Sequence, residues 1–507
     1  MQLPGKLSSS AAPADDKMSN LSDYERQRLE NIAENRAKLI AMGIDADATA
    51  LRTAAATRRQ PVKGSDVNRK KKADAVPARS KSLRQRNLDP AGNAIPDKPI
   101  VPESAPVQRQ ARKPSVPLDA AKISTGAVSA EEAASFLARL GEPDKTSAPP
   151  SKKAKRGKAS AEPESHASAT PLDLSSLSVA EDDIAKLVPE RIFSLEMHPS
   201  PAKLLVAAGD TWGRVGLWDV NAGDDTPVAT FAPHSRPVAG IRIAPHLPHL
   251  LLSCSHDGAV RCLDLGAGGS SSSFFEVYRA AEDNDGEYPM LHGLSRTAGE
   301  GGVLALCRSD GVALFLDPRT PSASQPRQAR LHEKKIFSVD FSPTKPQLLA
   351  TASLDRTVAL WDIRTLGEKR AKPLVTLEHG LSVTAARFSP SGERLLTTCN
   401  DDLLRVFDSD GKSDKSWSLR TAVKHNNKTG RYITSFQAEW LRGSNSTLIC
   451  GSLAQPRGVD VYNADDGSMS QRLEPDTVTS VVSLFAQHPT QPVLVAGNSG
   501  GKCYLWR

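Results

Sequence analysis

Seven short segments, each ending in an aromatic or apolar residue followed by a polar one, punctuate the C-terminal two thirds of the chain. They are VGLWD (215–219), VRCLD (260–264), VALFLD (312–317), VALWD (358–362), LRVFD (404–408), VDVYN (459–463) and CYLWR (503–507). Their anchors Trp218, Leu263, Phe315, Trp361, Phe407, Tyr462 and Trp506 are spaced by 45, 52, 46, 46, 55 and 44 residues. One such unit is too small to bury its own apolar face, so neighbouring units must stack on one another. A period in the mid-forties with a WD-like ending reads as a WD-repeat propeller, and seven anchors predict seven blades. The predicted fold is therefore all-β, with the propeller over residues 181–507.

Each unit repeats one internal plan. In 332–363 the order is His332, a strand IFSVDFSP, a strand QLLATAS, a tight turn at Leu354-Asp355-Arg356, and a strand TVALWDI. Alternation in the first strand sets Ile336, Ser338 and Asp340 against Phe337, Val339 and Phe341. Partly buried polar groups need partners, and a series His332, Ser353, Asp355, Trp361 would supply them. A His-Asp-Ser set also suggests a hydrolase. Against that reading, the set recurs with the blade period, and so do the turn aspartates Asp210, Asp257, Asp310, Asp355 and Asp401. A catalytic triad has no reason to repeat; these residues read as structural. No phosphate-cradling glycine loop follows a strand, and no paired acid and base lies outside the repeating positions. The chain is read as a non-enzyme needing no cofactor and no metal.

The repeats are imperfect. A long entry with a GAGGSSSS tract (266–290) precedes the third inner strand, and the sixth unit has Gln455-Pro456-Arg457-Gly458 where the others have a turn aspartate. That unit is also entered by an unusual run, KHNNKTGRY (424–432). The last unit lacks an outer strand, which DIAKLVP (183–189) can supply to close the ring and remove an exposed edge.

Composition divides the chain in the same place. Residues 1–180 contain only Tyr24 and Phe136 of 24 aromatic residues, with 30 Lys/Arg against 21 Asp/Glu. The remaining 327 residues hold 35 against 37. A basic stretch so poor in aromatics buries too little apolar area to offset its chain entropy, so 1–180 is expected to be mostly disordered. One helix is predicted there at about 22–42: Ser22 and Glu25 read as a capping box, and Leu29, Ile32, Leu39 and Ile40 follow helical spacing. It suits a partner groove or docking on the propeller. Six cysteines stand singly in apolar runs and read as buried thiols of a reducing compartment. No run of 18 apolar residues marks a membrane span and no apolar stretch marks a secretory signal.

Beyond the WD endings, several more specific runs carry a family resemblance. They are PERIFSLEMHPS (189–200), AAGDTWGRVGLWDV (207–220), SCSHDGAVRCLDL (253–265), HEKKIFSVDFSP (332–343), KHNNKTGRYITSFQAEW (424–440) and LSDYERQRLENIAENRAKLIAMGI (21–44). The chain resembles the WD-repeat DNA damage-binding family, which includes fungal changed-mutation-rate proteins and vertebrate WD-repeat protein 76, with the fungal branch as the closer match. The resemblance implies binding of single- and double-stranded DNA with a preference for ultraviolet-damaged DNA, a nuclear location and no catalysis.

Propeller partners bind mainly on the face made by the loops entering each inner strand and the turns between the two middle strands. Those positions hold Trp212, Arg214, Arg236, Lys334, Lys335, Arg356, Lys424, Asn426, Lys428, Arg431 and Arg457. Clustered cations suit phosphates, since affinity follows the number neutralised; taken singly, each also reads as a solvated loop cation. Trp212, in a Gly-flanked turn, either packs between blades or stands proud to stack on an unpaired base. No base-reading helix is in view, so binding is expected to be sequence-independent. Lys152, Lys153, Lys155 and Arg156 match a monopartite nuclear-import pattern. A competing reading is a scaffold or substrate adaptor without DNA contact: Asp362 and Arg364 match the box with which some propellers dock on a cullin-RING ubiquitin ligase adaptor.

Overall fold

The described strands form seven antiparallel sheets, and each sheet is one of the predicted units. In the fourth, Ile336–Phe341 pairs with Leu348–Ser353, which pairs with Thr357–Asp362 and then with Val375–Glu378. A computed structural model describes residues 118–125, 128–141 and 171–507, apart from loop residues 223–226, 246, 268–271, 282–287, 298–301, 318–325 and 368–370. All of these lie in the unit Ser104–Arg507. The helix predicted at 22–42 and the basic run 152–156 fall outside the described residues.

The core consists of seven apolar clusters, one at each blade–blade interface. All seven anchors are buried in them: Trp361 packs with Phe315, Ile336 and Phe341 between blades three and four, and Trp218 with Val206 and Leu505 between seven and one. Repeat spacing therefore carried the architecture, because the anchor of each unit has no apolar surroundings until its neighbour is stacked on it.

The ring closes as expected. Ile184–Lys186 pairs antiparallel with Lys502–Trp506 as the outer strand of the seventh blade. Arg507 and Ser178 exchange backbone hydrogen bonds of 3.1 Å, and the Arg507 guanidinium lies 2.8 Å from the Asp183 carboxylate. Leu172, Leu174 and Val179 cover the cluster between blades six and seven.

Three local expectations are corrected. First, order begins well before residue 181. Strands β1 (Leu118–Asp119) and β2 (Ser124–Thr125) add to the outer edges of blades two and one, pairing with Ser273–Arg279 and Val228–Phe231. Helix α1 (Ala130–Gly141) follows, opened by a capping box in which Ser129 N–H donates to Glu132 and Glu132 N–H to Ser129 Oγ. It buries Ala133, Phe136, Leu137 and Leu140 on the cluster shared by blades one and two. Average composition hid this strap; a twelve-residue apolar stripe is diluted in 180 residues. Second, residues 266–290 are not only a long entry: they contain Ser273–Arg279, the outer strand of blade two. Third, the polar series in blade four runs through Thr351, not Ser353. His332 Nε2 lies 2.7 Å from Thr351 Oγ1, which accepts the Trp361 indole N–H at 2.8 Å, while His332 Nδ1 lies 2.8 Å from Asp355. Ser353, two residues on and on the same strand face, instead donates to the Lys335 carbonyl and accepts the Asp355 N–H.

The expected alternation of the inner strands is interrupted at one recurring place. Pairing with the second strand slips between Ile192 and Ser194, Val238 and Gly240, Leu291 and Gly293, Ile336 and Ser338, Val383 and Ala385, and Val482 and Leu484. A bulge leaves one residue out of the ladder and re-aims its side chain. The same position is released in six blades, giving Phe193, Ala239, His292, Phe337, Thr384 and Ser483 one level at the start of the central channel. In blade six the inner strand is only Glu439–Trp440, and the preceding run fills the gap. Thr434 Oγ1 donates to the Ile192 carbonyl, and the Arg191 guanidinium to the Arg431 carbonyl, so this run reaches across to blade one.

Candidate nucleic-acid interface

Backbone hydrogen bonds sew the inner-strand entries and the middle turns into one face. In blade one the turn receives on both sides: Thr211 N–H donates to Arg191 C=O, and His234 N–H, from the next entry, to Gly213 C=O. Blade four repeats this with Leu354 to Lys335 and His379 to Arg356, and blade five with Asn400 to Ser382 and His425 to Asp402. Gly213 adopts φ +86°, and a Cβ there would lie 2.3 Å from the His234 carbonyl oxygen. The turn aspartates hold the loops in shape: Asp210 accepts the N–H groups of Trp212 and Arg214, and Asp257 those of Ser235 and Ala259. Burial pushes the Asp257 carboxyl up, but His234 and Arg261 beside it hold it well below the usual carboxylate range. In the same way, against burial, His332 and Thr357 bring Asp355 down to about 2.

The proposed DNA-contacting residues sit on loops and turns of this face, except Lys424, which ends the strand Trp417–Lys424, and they are not equivalent. Arg236, Lys334, Lys335, Arg356 and Lys424 have no carboxylate partner among the described residues. Lys335 is half-buried, its ammonium 4.5 Å from the Phe337 ring centre. Arg356 takes φ +74° at the turn position held by Gly213, Gly258, Gly311 and Gly501 in other blades. A side chain in that conformation costs on the order of 1–2 kcal/mol, and Asp402 at φ +64° bears the same conformation in blade five. By contrast, Lys428 Nζ lies 2.8 Å from Asp402, and Arg214 lies 3.8 Å from Asp210. Arg457 bends back to donate to the Leu453 carbonyl of its own turn. Asn426 accepts the Lys428 N–H, and Arg431 donates to the Tyr432 hydroxyl and stacks over its ring at 4.8 Å. Buried Asn427 anchors the run, donating to the Cys399 carbonyl and to Asp402 through side chain and backbone respectively.

Trp212 stands proud of this face, 48% exposed, and Tyr432 is 72% exposed. Tyr432, Arg191, His256 and His292 escaped the sequence reading. Arg191-Ile192-Phe193 repeats the register of Lys335-Ile336-Phe337, so lining up the inner strands would have found Arg191. Asp362 and Arg364 lie at the far end of the Thr357–Asp362 strand, and hence on the opposite face. The Arg364 guanidinium makes two hydrogen bonds with Asp362, at 2.7 and 3.0 Å.

Among the described residues no group of three or more metal-ligating side chains converges, and no helix is long and apolar enough to cross a membrane. The six cysteines are unpaired and buried, and burial raises the thiols of Cys254, Cys262, Cys307, Cys399, Cys450 and Cys503.

Fold and repeat together define a WD-repeat propeller, and the model of the WD domain, G-beta repeat, matches residues 225–264, 326–362 and 371–408. The chain is 34% identical to WD repeat-containing protein 76 of Xenopus laevis, across 97% of its own length and 81% of that protein's. The mouse protein of the same name is also 34% identical, across 98% of this chain and 76% of its own length. DNA damage-binding protein cmr1 of Emericella nidulans is 29% identical, across 96% of this chain and 99% of its own length. The chain belongs to this family of WD repeat-containing protein 76 and the cmr1 proteins. The expected lean toward the fungal branch is not seen in these identities; the two vertebrate relatives score higher.

Proposed function

We propose that this protein is a non-enzymatic nuclear DNA-binding propeller that holds single- and double-stranded DNA by its phosphates and favours ultraviolet-damaged DNA. The observation that carries the reading is the carboxylate-free arc Arg236, Lys334, Lys335, Arg356 on a domain whose residues 181–507 are slightly acidic overall. Cations so concentrated neutralise phosphates and release counterions, a mode indifferent to sequence and steeply dependent on salt. Trp212 supplies a flat apolar surface beside the arc. Stacking on an exposed base is easiest where a lesion has already weakened the duplex, which gives the preference for damage a physical origin. Relatives named for DNA damage binding agree with it. Nuclear entry rests on Lys152, Lys153, Lys155 and Arg156.

The test is a titration of the full chain against irradiated duplex, intact duplex and single strand over a range of salt. Replacing Arg236, Lys334 and Arg356 together by glutamate should flatten the salt dependence by about three phosphate contacts. An unchanged slope would move DNA binding elsewhere in the chain.

A second reading concerns the opposite face, where exposed Arg364 is braced by Asp362 for contact with a ligase adaptor. It is compatible with the first, since the two faces are separate. Arg364→Ala should abolish adaptor capture and leave DNA retention intact; capture that survives it rules out this docking mode.

A further inference from the structure

The start of the central channel carries a ladder of rings that the DNA-binding face does not explain. Phe193 of blade one, His256 from the turn of blade two, His292 of blade three and Phe337 of blade four follow one another, with centres 5.5, 4.4 and 6.5 Å apart. A cation caps each end: Arg191 stands 5.9 Å over Phe193, and Lys335 4.5 Å over Phe337. Phe193, His292 and Phe337 line a channel cavity of about 70 Å³.

Three nitrogens of this ladder and its caps are unsatisfied. His292 is 9% exposed, and its Nε2 has no hydrogen-bond partner; the same holds for His256 Nε2 and Arg191 Nε. A buried polar atom without a partner is costly, and persistence of several in one arc asks for a ligand. The charges facing the two histidines are Lys335 and Arg236 on one side and Asp257 on the other, the last already engaged by His234 and Arg261. Burial, with Lys335 and Arg236 beside it, brings His256 down to about 4. Burial, with His256 and Lys335 beside it, brings His292 down to about 2. Both imidazoles are thus neutral with N–H groups to donate, the positive charge beside them is that of Lys335 and Arg236, and the histidines lie deeper than the cationic rim. A tetrahedral oxyanion matches this place, because its several oxygens can accept from neighbouring N–H donors at once.

We infer that His256, His292 and Lys335 form a recessed phosphate site at the mouth of the channel, and that it takes the terminal phosphate of a DNA strand end. The second part rests on the DNA-binding reading. A regular duplex keeps its phosphates on its outside and meets the rim, whereas only a protruding group reaches the bulged level. A strand end would therefore be told from a continuous strand by this site alone.

Two probes separate the parts. Inorganic phosphate added to the full chain, labelled at its histidine rings, should raise the titration midpoints of His256 and His292 in nuclear magnetic resonance spectra; absence of any shift overturns the site. Short duplexes differing only in a 5′-phosphate or 5′-hydroxyl should then bind about tenfold apart, the worth of a charge-assisted hydrogen bond. His292→Phe, which keeps a ring in the ladder, should erase that difference, and Lys335→Gln should reduce it. If phosphate moves the histidines while no DNA is retained, the site stands and the DNA reading falls. If damaged DNA binds well and neither probe responds, the DNA reading stands and this site falls.

Discussion

Two arcs of the same face contrast sharply. Blade six, with its entering run and its turn, is rich in polar and cationic residues, yet apart from Lys424 the structure spends several of them internally: Lys428 on Asp402, Arg457 on its own turn, Asn427 on Cys399 and Asp402. Blades two and four offer fewer, but Arg236, Lys334, Lys335 and Arg356 face no carboxylate. Charge written in a sequence is not charge available to a ligand; what decides is the neighbour folding supplies. The blade-six run is better understood as a brace that spans from blade five to Arg191 and Ile192 of blade one.

The largest effect expected concerns the ground under the free arc. Phe136 of helix α1 is fully buried between blades one and two, and among the described residues no comparable strap serves blade four. Phe136→Ala should lower stability by about 3–5 kcal/mol, read as a shift in the urea midpoint at constant slope. A loss below about 1 kcal/mol would show the strap to be dispensable.

Next comes the arc itself. The triple replacement of Arg236, Lys334 and Arg356 by glutamate should weaken DNA binding on the order of a hundredfold at 0.15 M salt, from about three lost phosphate contacts. Arg356→Gly alone should act in two directions at once. Relieving the left-handed strain should add about 1 kcal/mol of stability, and losing one contact should cost about fivefold in affinity. A glycine variant no more stable than the parent would remove the argument from strain.

How far all this was legible follows from what repeats. The blade count, the buried anchors and the closing strand were readable because each is a periodic or edge-completing feature, and Trp361 or Ile184 can do nothing else in such a ring. The bulge at Phe193, His292 and Phe337 was not readable, since a one-residue slip leaves the apolar pattern looking like simple alternation. Nor was the exchange of Ser353 for Thr351, two hydroxyls on one face of one strand. Candidate cations could be assigned to loops, but their carboxylate partners lie up to a blade away in sequence, as Asp402 does from Lys428.

Acid gives a further contrast. His256 and His379 stand at about 4 and His292 at about 2, all depressed first by burial, so the folded protein resists protons that the unfolded chain accepts near pH 6.5. Their contribution is full above that pH and is lost as pH falls from 6.5 toward 4, by at most about 1.4 kcal/mol per pH unit for each histidine. His292→Phe should flatten the dependence of the urea midpoint on pH over that window. An unaltered curve would mean that the ring is solvated in the native state.

The smallest effect falls on the most conspicuous charge. Lys428→Ala removes an ammonium that already has its carboxylate, so a phosphate arriving there would have to displace Asp402 while gaining little net charge. DNA affinity should change less than about twofold, because an exposed pair is worth little and its two charges cancel at a distance. The discriminating partner is Asp402→Asn, which frees Lys428 without touching it. If that variant binds DNA more tightly and Lys428→Ala does not bind more weakly, the blade-six run is a brace whose charge is held in reserve. If Lys428→Ala alone costs as much as Arg356→Gly, the two arcs are equivalent and the contrast between them fails.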